Sequence, residues 1–333
     1  MKTRKVQVTG GSTYTVSIPK EWANSNDVSA GSIVEFFPQN ETLVLTPREQ
    51  HQRTEGEFDV AATTAEYVER GVIAMYLNGF DDITFDVSQL DTTHRRVVKK
   101  TAHDLIGLEI VTETQSEIRM RNLLDASELS VPDSVQRMRL LALEMLDDAV
   151  RGLLDGDADR VESVVMRDDD LDRMWYLVSR VFRRVLHDPA AVNEIALDRE
   201  SCFNYRSTAR QLERVGDHAV KIAENAQAVD EVPAAIATDL TALCTDVRTI
   251  VGGAVDTVTA DAPDGTTSQA NRLRDSVDEC QQTVRRLEND LWDLDSELAQ
   301  PLSLVVDSLS RAADYGGNIT EIALQQAAPK PAP

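Results

Sequence analysis

Cysteine is nearly missing from this 333-residue chain: Cys202, Cys244 and Cys280 lie far apart, and none forms a CxxC pair. That usage excludes a disulfide scaffold and a zinc ribbon, and points to reduced thiols in a cytosol. Long apolar runs are missing too. Nothing approaches the roughly 18 consecutive apolar residues that span a bilayer, and Lys2, Arg4 and Lys5 stand where a signal peptide needs an apolar core. We therefore expect a cytoplasmic protein. The chain has no glycine-rich phosphate loop, no HExxH helix and no nucleophile elbow. Asp217 and His218 are neighbours in sequence, but adjacent helical residues diverge by about 100° and cannot act as a side-chain pair. We do not read an enzyme.

Lysine is scarce, 7 against 27 arginines, and acids outnumber bases 57 to 34, a net charge of −23. A surface this negative argues against a general nucleic-acid coat and is a device for solubility in high salt, so we expect a halophilic setting. The first fifty residues are the exception. There Lys2, Arg4, Lys5, Lys20 and Arg48 balance Glu21, Asp27, Glu35, Glu41 and Glu49.

The most informative stretch is Leu212 to Asn225. Leu212, Val215, Ala219, Ile222 and Ala226 share one side of a helix, and Arg210, Glu213, Asp217, Lys221 and Glu224 share the other. Leu309 to Ala323 repeats the layout, with Leu309, Ala312, Gly316, Ile319 and Ala323 opposite Asp314, Asn318 and Glu321. One helical unit occurs twice. From Ser130 to Gln326 the apolar steps are three and four residues throughout, as in Val135, Met138, Ala142, Met145 and Ala149, or Val164, Leu171, Trp175, Val178 and Phe182. Breaks at 152–157, 187–190, 230–233, 260–265 and Gln300-Pro301 cut this into six long helices, three plus three. We expect two three-helix repeats, 130–230 and 233–326, and a disordered Ala/Pro tail at 327–333.

Upstream, residues 3–9 and 12–18 read as strands of a hairpin turning at Gly10-Gly11, followed by a short helix with Pro19 in its first turn. SIVEFF and TLVLT supply two more strands, joined by Pro38 to Glu41. Such a unit, residues 1–50, buries little surface and needs a partner. HQRTEG, residues 51–56, reads as a polar linker. Residues 57–126 alternate strand and helix as a small α/β domain, with helices near 64–78 and 91–106 and strands at 82–87, 108–113 and 117–123. His94 and His103 on its second helix read as surface or packing residues.

Chemistry, where the pattern offers it, lies in carboxylates. Asp168 and Asp172 are four apart and share a helix face, as do Glu213 and Asp217. Acids clustered on neighbouring antiparallel helices can hold a hard or borderline cation, since like charges at that spacing repel unless something positive stands between them. The competing reading is a row of acids shown to water, as very acidic proteins display anywhere.

Residues 130–326 resemble the PhoU family of phosphate-uptake regulators. That family is a tandem of three-helix repeats with an acid-xxx-acid motif on the second helix and E-R-[IV]-G-D-x-x-x-x-I on the third. Glu213-Arg214-Val215-Gly216-Asp217 with Ile222 carries the second motif and Asp168-x-x-x-Asp172 the first. The resemblance implies divalent, iron- or zinc-type metal ions at Asp168, Asp172, Glu213 and Asp217, restraint of a phosphate ABC transporter through its components, and reporting of phosphate status. In the second repeat the matching places hold Arg274, Asp278, Ser310 and Asp314, so little or no metal is expected there. The first fifty residues, through Arg4 to Val6, Thr15 to Trp22 and the later strands, resemble the AbrB/SpoVT swapped-hairpin domain. That implies a homodimer of interlaced copies and contact with promoter DNA. Family members that bind DNA carry arginines where this chain has Thr15, Ala23 and Asn24, which leaves Arg4, Lys5 and Lys20 as phosphate contacts. Two rivals stay open: a DNA-binding transcription factor whose bundle senses a metal or ligand, and a metal-buffering protein.

Overall fold

The computed structural model describes residues 3–39, 42–48, 54–59, 64–124, 130–260 and 266–329. The chain divides into two compact units, Met1–Arg53 and Thr54–Pro333.

In the first unit, β1 (Gln7–Thr9) and β2 (Thr13–Thr15) form an antiparallel hairpin, and the Thr9 and Thr15 hydroxyls lie 3.2 Å apart. Gly10 and Gly11 both adopt positive φ, 64° and 77°, which is the conformation the tight reversal demands. Pro19 caps helix α1 (Lys20–Ser25) from just outside rather than from its first turn. A second hairpin pairs β3 (Val34–Gln39) with β4 (Thr42–Pro47). Pro38 and Gln39, read as connection, are paired with Leu43 and Thr42 instead; the rest of that connection, residues 40–41, lies outside the described residues. No described residue of this unit is buried. Val6, Val8, Tyr14, Val16, Ile33, Phe36 and Leu43 are each more than half exposed.

The second unit begins with a four-stranded sheet of order β5-β6-β8-β7, from β5 (Glu55–Asp59), β6 (Asp82–Asp86), β7 (Leu108–Glu113) and β8 (Glu117–Asn122). Glu55 and Gly56, assigned to the linker by sequence, are the first residues of β5, because β5 pairs in parallel with β6 from Glu55↔Asp82 onward. The crossover that a parallel pair requires is helix α2 (Ala65–Leu77). Thr64 caps α2, and Asp91 caps α3 (Thr92–Asp104), accepting from the His94 amide. Val68, Val72, Tyr76, Ile83, Phe85, Val98, Ile118 and Met120 make the core between sheet and helices. His94 sits against Asp91 at 2.8 Å and His103 is exposed.

The rest is helical: α4 (Val131–Asp155), α5 (Ala158–His187), α6 (Pro189–Ile195), α7 (Arg199–Ala226), α8 (Ala234–Thr259), α9 (Thr266–Leu291) and α10 (Ser296–Ala327). Ser130, Asp157 and Asp198 cap α4, α5 and α7, and Gly156 ends α4 at φ 65°. The six long helices read from sequence are present, and the break at 187–190 adds the short α6. The break placed at Gln300-Pro301 is absent: the chain turns at 292–295 instead, and Pro301 is buried inside α10. Proline already has helical φ, and the buried run Leu302, Val305, Val306 and Leu309 carries α10 on through it. The tail read from residue 327 starts on the last residue of α10, and 330–333 lie outside the described residues. Helices α4 and α7 pack on α5 in one repeat, α8 and α10 on α9 in the other. Contacts α7–α10 and α4–α8 then fuse both into one continuous core.

Arginines of α5 tie the α/β domain to this bundle. Arg180 on α5 is 6 % exposed; it donates to Tyr76 O at 2.6 Å, lies 3.3 Å from Asp81, and sits 4.9 Å from the Tyr76 ring centre. Burial pushes the Tyr76 hydroxyl up to about 12, against the pull of the same guanidinium. Arg183, one residue in from Arg184, reaches Asn78 Oδ1 at 2.9 Å.

Candidate functional site

Gly216 decides how closely α5 and α7 approach. A Cβ there would collide with the Leu171 side chain and stand 3.5 Å from Asp168 Oδ1. Without it, Leu171 drops into the groove and brings Asp168 and Asp172 onto Glu213 and Asp217. All four carboxylates interact. Asp168 is pushed up to about 6 by burial first, then by Asp217 and Asp169. Asp172 rises to about 7 through burial, then Asp168 and Asp217. Glu213 rises to about 7 through burial and Asp217, with Arg210 pulling the other way, and Asp217 is raised chiefly by burial.

The acids do not form the open row shown to water that the sequence pattern allowed. Glu213 is 7 % exposed, covered by α5 and paired with Arg210, which in turn stacks 5.3 Å over Trp175. Asp168 Oδ1 and Glu213 Oε2 are shut off from solvent with no hydrogen-bond partner. Buried carboxylate oxygens without donors are costly, and either a proton or a cation relieves them. As the side chains stand, no three His, Cys, Asp or Glu among the described residues converge on a point that would hold a metal ion. Asp172 also lines a cleft of about 70 Å³ between the bundle and the α/β domain, together with Glu69, Lys100, Asp104 and Tyr176.

The second repeat puts different chemistry in the same place. Ser310 and Asp314 both bond to Gln281, whose Nε2 lies 3.1 Å and 3.0 Å from them. Arg274 and Asp278 are exposed on α9. A neutral amide therefore meets the α10 side chains where two acids meet α7 in the first repeat. Sequence alignment by the apolar seam did not identify Gln281, because only the helix pairing shows which residue of α9 faces Ser310. His218 is likewise turned away from Asp217: it is buried, 3.4 Å from the Tyr315 hydroxyl on α10, and burial pushes its ring down to about 4.

In the first unit, Arg4 and Lys5 precede β1 and Lys20 opens α1. All three are exposed, and none has an ion pair among the described residues.

A tandem of three-helix repeats, with paired carboxylates meeting across a glycine, defines a PhoU-like helical bundle behind a small α/β domain. The family comparisons agree with that class. Residues 135–226 match the PhoU domain model, and residues 7–53 match the model described as antidote-toxin recognition MazE, bacterial antitoxin. The chain thus carries a PhoU domain and an N-terminal domain of the MazE/AbrB-like kind. It is 30% identical over 92 residues to the phosphate-specific transport system accessory protein PhoU homologue of Caulobacter vibrioides, in strains NA1000 / CB15N and CB 15. That match covers 27% of this chain and 37% of the relative, so the chain spans little more than a third of the length of the curated relatives it matches. The fold is shared with PhoU from Streptococcus pneumoniae (TM-score 0.51, 17% identity, 58% of this chain and 91% of that one). It is also shared with PhoU from Pseudomonas aeruginosa (TM-score 0.50, 22% identity, 58% and 93%).

Proposed function

We propose that this protein is a cytoplasmic, non-enzymatic regulator of phosphate uptake that acts by contact with components of a phosphate ABC transporter. The observation that carries the reading is the meeting of Asp168 and Asp172 with Glu213 and Asp217 across Gly216, inside the residues that match a PhoU domain. Association with transporter components is tested by affinity capture of the full chain from its own cells in phosphate-replete and phosphate-starved growth. Recovery of the transporter proteins with wild type, and their loss with Asp172→Ala together with Asp217→Ala, supports the reading. Equal recovery of those proteins with both chains sinks the role of this face.

The same carboxylates fit a hard or borderline divalent cation, or iron or zinc, by donor type and by the two orphaned oxygens. Asp168, Asp172, Glu213 and Asp217 would hold it once their side chains turn inward, and the ion would cancel their repulsion and tie α5 to α7. Metal analysis of the purified protein beside Asp217→Ala checks this. One or two equivalents lost in the variant fit a bound regulator, whereas many weak equivalents favour a metal buffer.

A second reading is favoured by the N-terminal unit. Its exposed apolar strands call for a second copy, and Arg4, Lys5 and Lys20 are free to meet DNA phosphates. A homodimer through this unit that also touches promoter DNA would add transcriptional control. Promoter binding that falls steeply with salt and depends on Arg4 and Lys5 supports it; salt-independent behaviour leaves the protein-contact role alone.

A further inference from the structure

Neither family match reaches the α/β domain, since the PhoU model covers residues 135–226 and the MazE model residues 7–53. Its place in the fold is beside the acid site, and α5 is the wall between them. Arg173, Tyr176, Arg180 and Arg183 stand at i, i+3, i+7 and i+10 on α5, and therefore on one face. All four meet the α/β domain: Arg173 Nη2 lies 3.5 Å from His103 O, Tyr176 packs against the cores of both domains, Arg180 donates to Tyr76 O and Arg183 to Asn78 Oδ1. Leu171 and Trp175 mark the face turned to α7, against Gly216 and under Arg210. Asp172 stands between the two faces, about 40° from Tyr176 and about 100° from Leu171 around the helix axis.

Of the four acids, Asp172 alone lines the cleft of about 70 Å³ between α5 and helices α2 and α3. Glu69, Asp104 and Asp169 line it too, against Lys100 and Arg173, so four carboxylates face two cations around a space of a few waters. As the side chains stand, no three acids among the described residues converge on an ion. Gathering one between Asp168, Asp172, Glu213 and Asp217 requires the Asp172 carboxylate to turn from the cleft toward α7. We propose that the α/β domain reads the state of the acid site, a coupling that rests on the cation reading above: a cation gathered by the four acids draws Asp172 out of the cleft, and α2 and α3 then settle more firmly on α5. With Asp172 withdrawn, three carboxylates are left against two cations and the repulsion across the cleft falls. Helix α5 touches both partners directly, packing on α7 with one face and on α2 with the other, so no longer path is needed. Such coupling is reciprocal: firmer docking of the α/β domain tightens the cation by the same factor.

The test is hydrogen exchange of the full chain at about pH 8, with manganese(II) and with chelator, beside metal analysis of the same samples. Manganese uptake is expected to slow exchange in α2 and α3 about fivefold or more while α9 changes less. Asp217→Asn, which leaves the cleft lining intact, should lose uptake and response together. Asp172→Asn should slow the same amides without metal, because it removes a charge from the cleft. Arg180→Ala, whose side chain bonds none of the four acids, should still take up manganese, about fivefold more weakly, and show no slowing. Arg183→Ala, at an exposed position, should show a milder loss of the same kind, which keeps the test informative should Arg180→Ala fold poorly. Uptake with unchanged or quicker exchange in α2 and α3, or with α9 slowed to the same degree, overturns the coupling and leaves the cation site standing. No uptake sinks the cation reading and the coupling with it.

Discussion

A methyl group at position 216 would have nowhere to go. Gly216→Ala drives into Leu171, and although alanine favours the helix by about 1 kcal/mol, the overpacking costs about 1–3 kcal/mol, so a net loss is expected in denaturant unfolding. Adding Leu171→Ala should recover part of the helix gain while opening a cavity. The carboxylates predict a pH effect of definite sign. Asp172 has a folded value of about 7 against an ordinary 3.8, so the folded state binds its proton more tightly than the unfolded one. Its contribution is full below about 4 and is lost as pH rises through about 7. Asp172→Asn should therefore lie closest to wild type in melting temperature near pH 4 and exceed it at pH 8, by on the order of 1 kcal/mol or more. Equal melting at both pH values would mean that Asp172 is not strained. At this scale the sequence revealed which acids share a helix face, because i,i+4 spacing shows it directly. It did not reveal Glu213's burial or Gln281's bonds, since each depends on the rotation of a second helix about its own axis.

Among elements, α5 does the most. It supplies two acids to the site on one side and Arg180 to the α/β domain on another. Arg180→Ala removes the buried guanidinium that bonds Tyr76 O and Asp81 and stacks on the Tyr76 ring, while Gly79 N–H and Thr54 still serve those acceptors, so it costs about 1–3 kcal/mol and should loosen the sheet domain from the bundle. Hydrogen exchange in α2 and β6 is then expected to quicken while α7 and α10 stay protected. The helices themselves were legible, since buried seams such as Val135 to Ala149 repeat with period 3.6. Pro301 misled because its local rule yields to the apolar stripe that follows it. The start of β5 was hidden because Glu55 and Gly56 are polar or small, and a strand paired on one edge announces itself weakly.

For the molecule as a whole, charge and the N-terminal unit set the expectations. With 57 acids against 34 bases, molar KCl should raise the melting temperature well above its value in dilute buffer; a flat response would count against a halophilic design. With Val8 and Phe36 exposed, the homodimer proposed through this unit predicts that Val8→Asp with Phe36→Asp halves the sedimenting mass while the helical signal is kept. Duplication was visible because the two copies preserve their apolar stripes. How they join was not, for nothing in Leu212 or Leu309 tells which neighbour each one meets.

The α7–α10 and α4–α8 packing makes each repeat a wall of the other's core, so neither is complete alone. A chain cut after residue 230 leaves the greasy sides of α4 and α7 in water, and such a fragment should clump instead of folding. Heating the intact pair should melt both copies together, in one step.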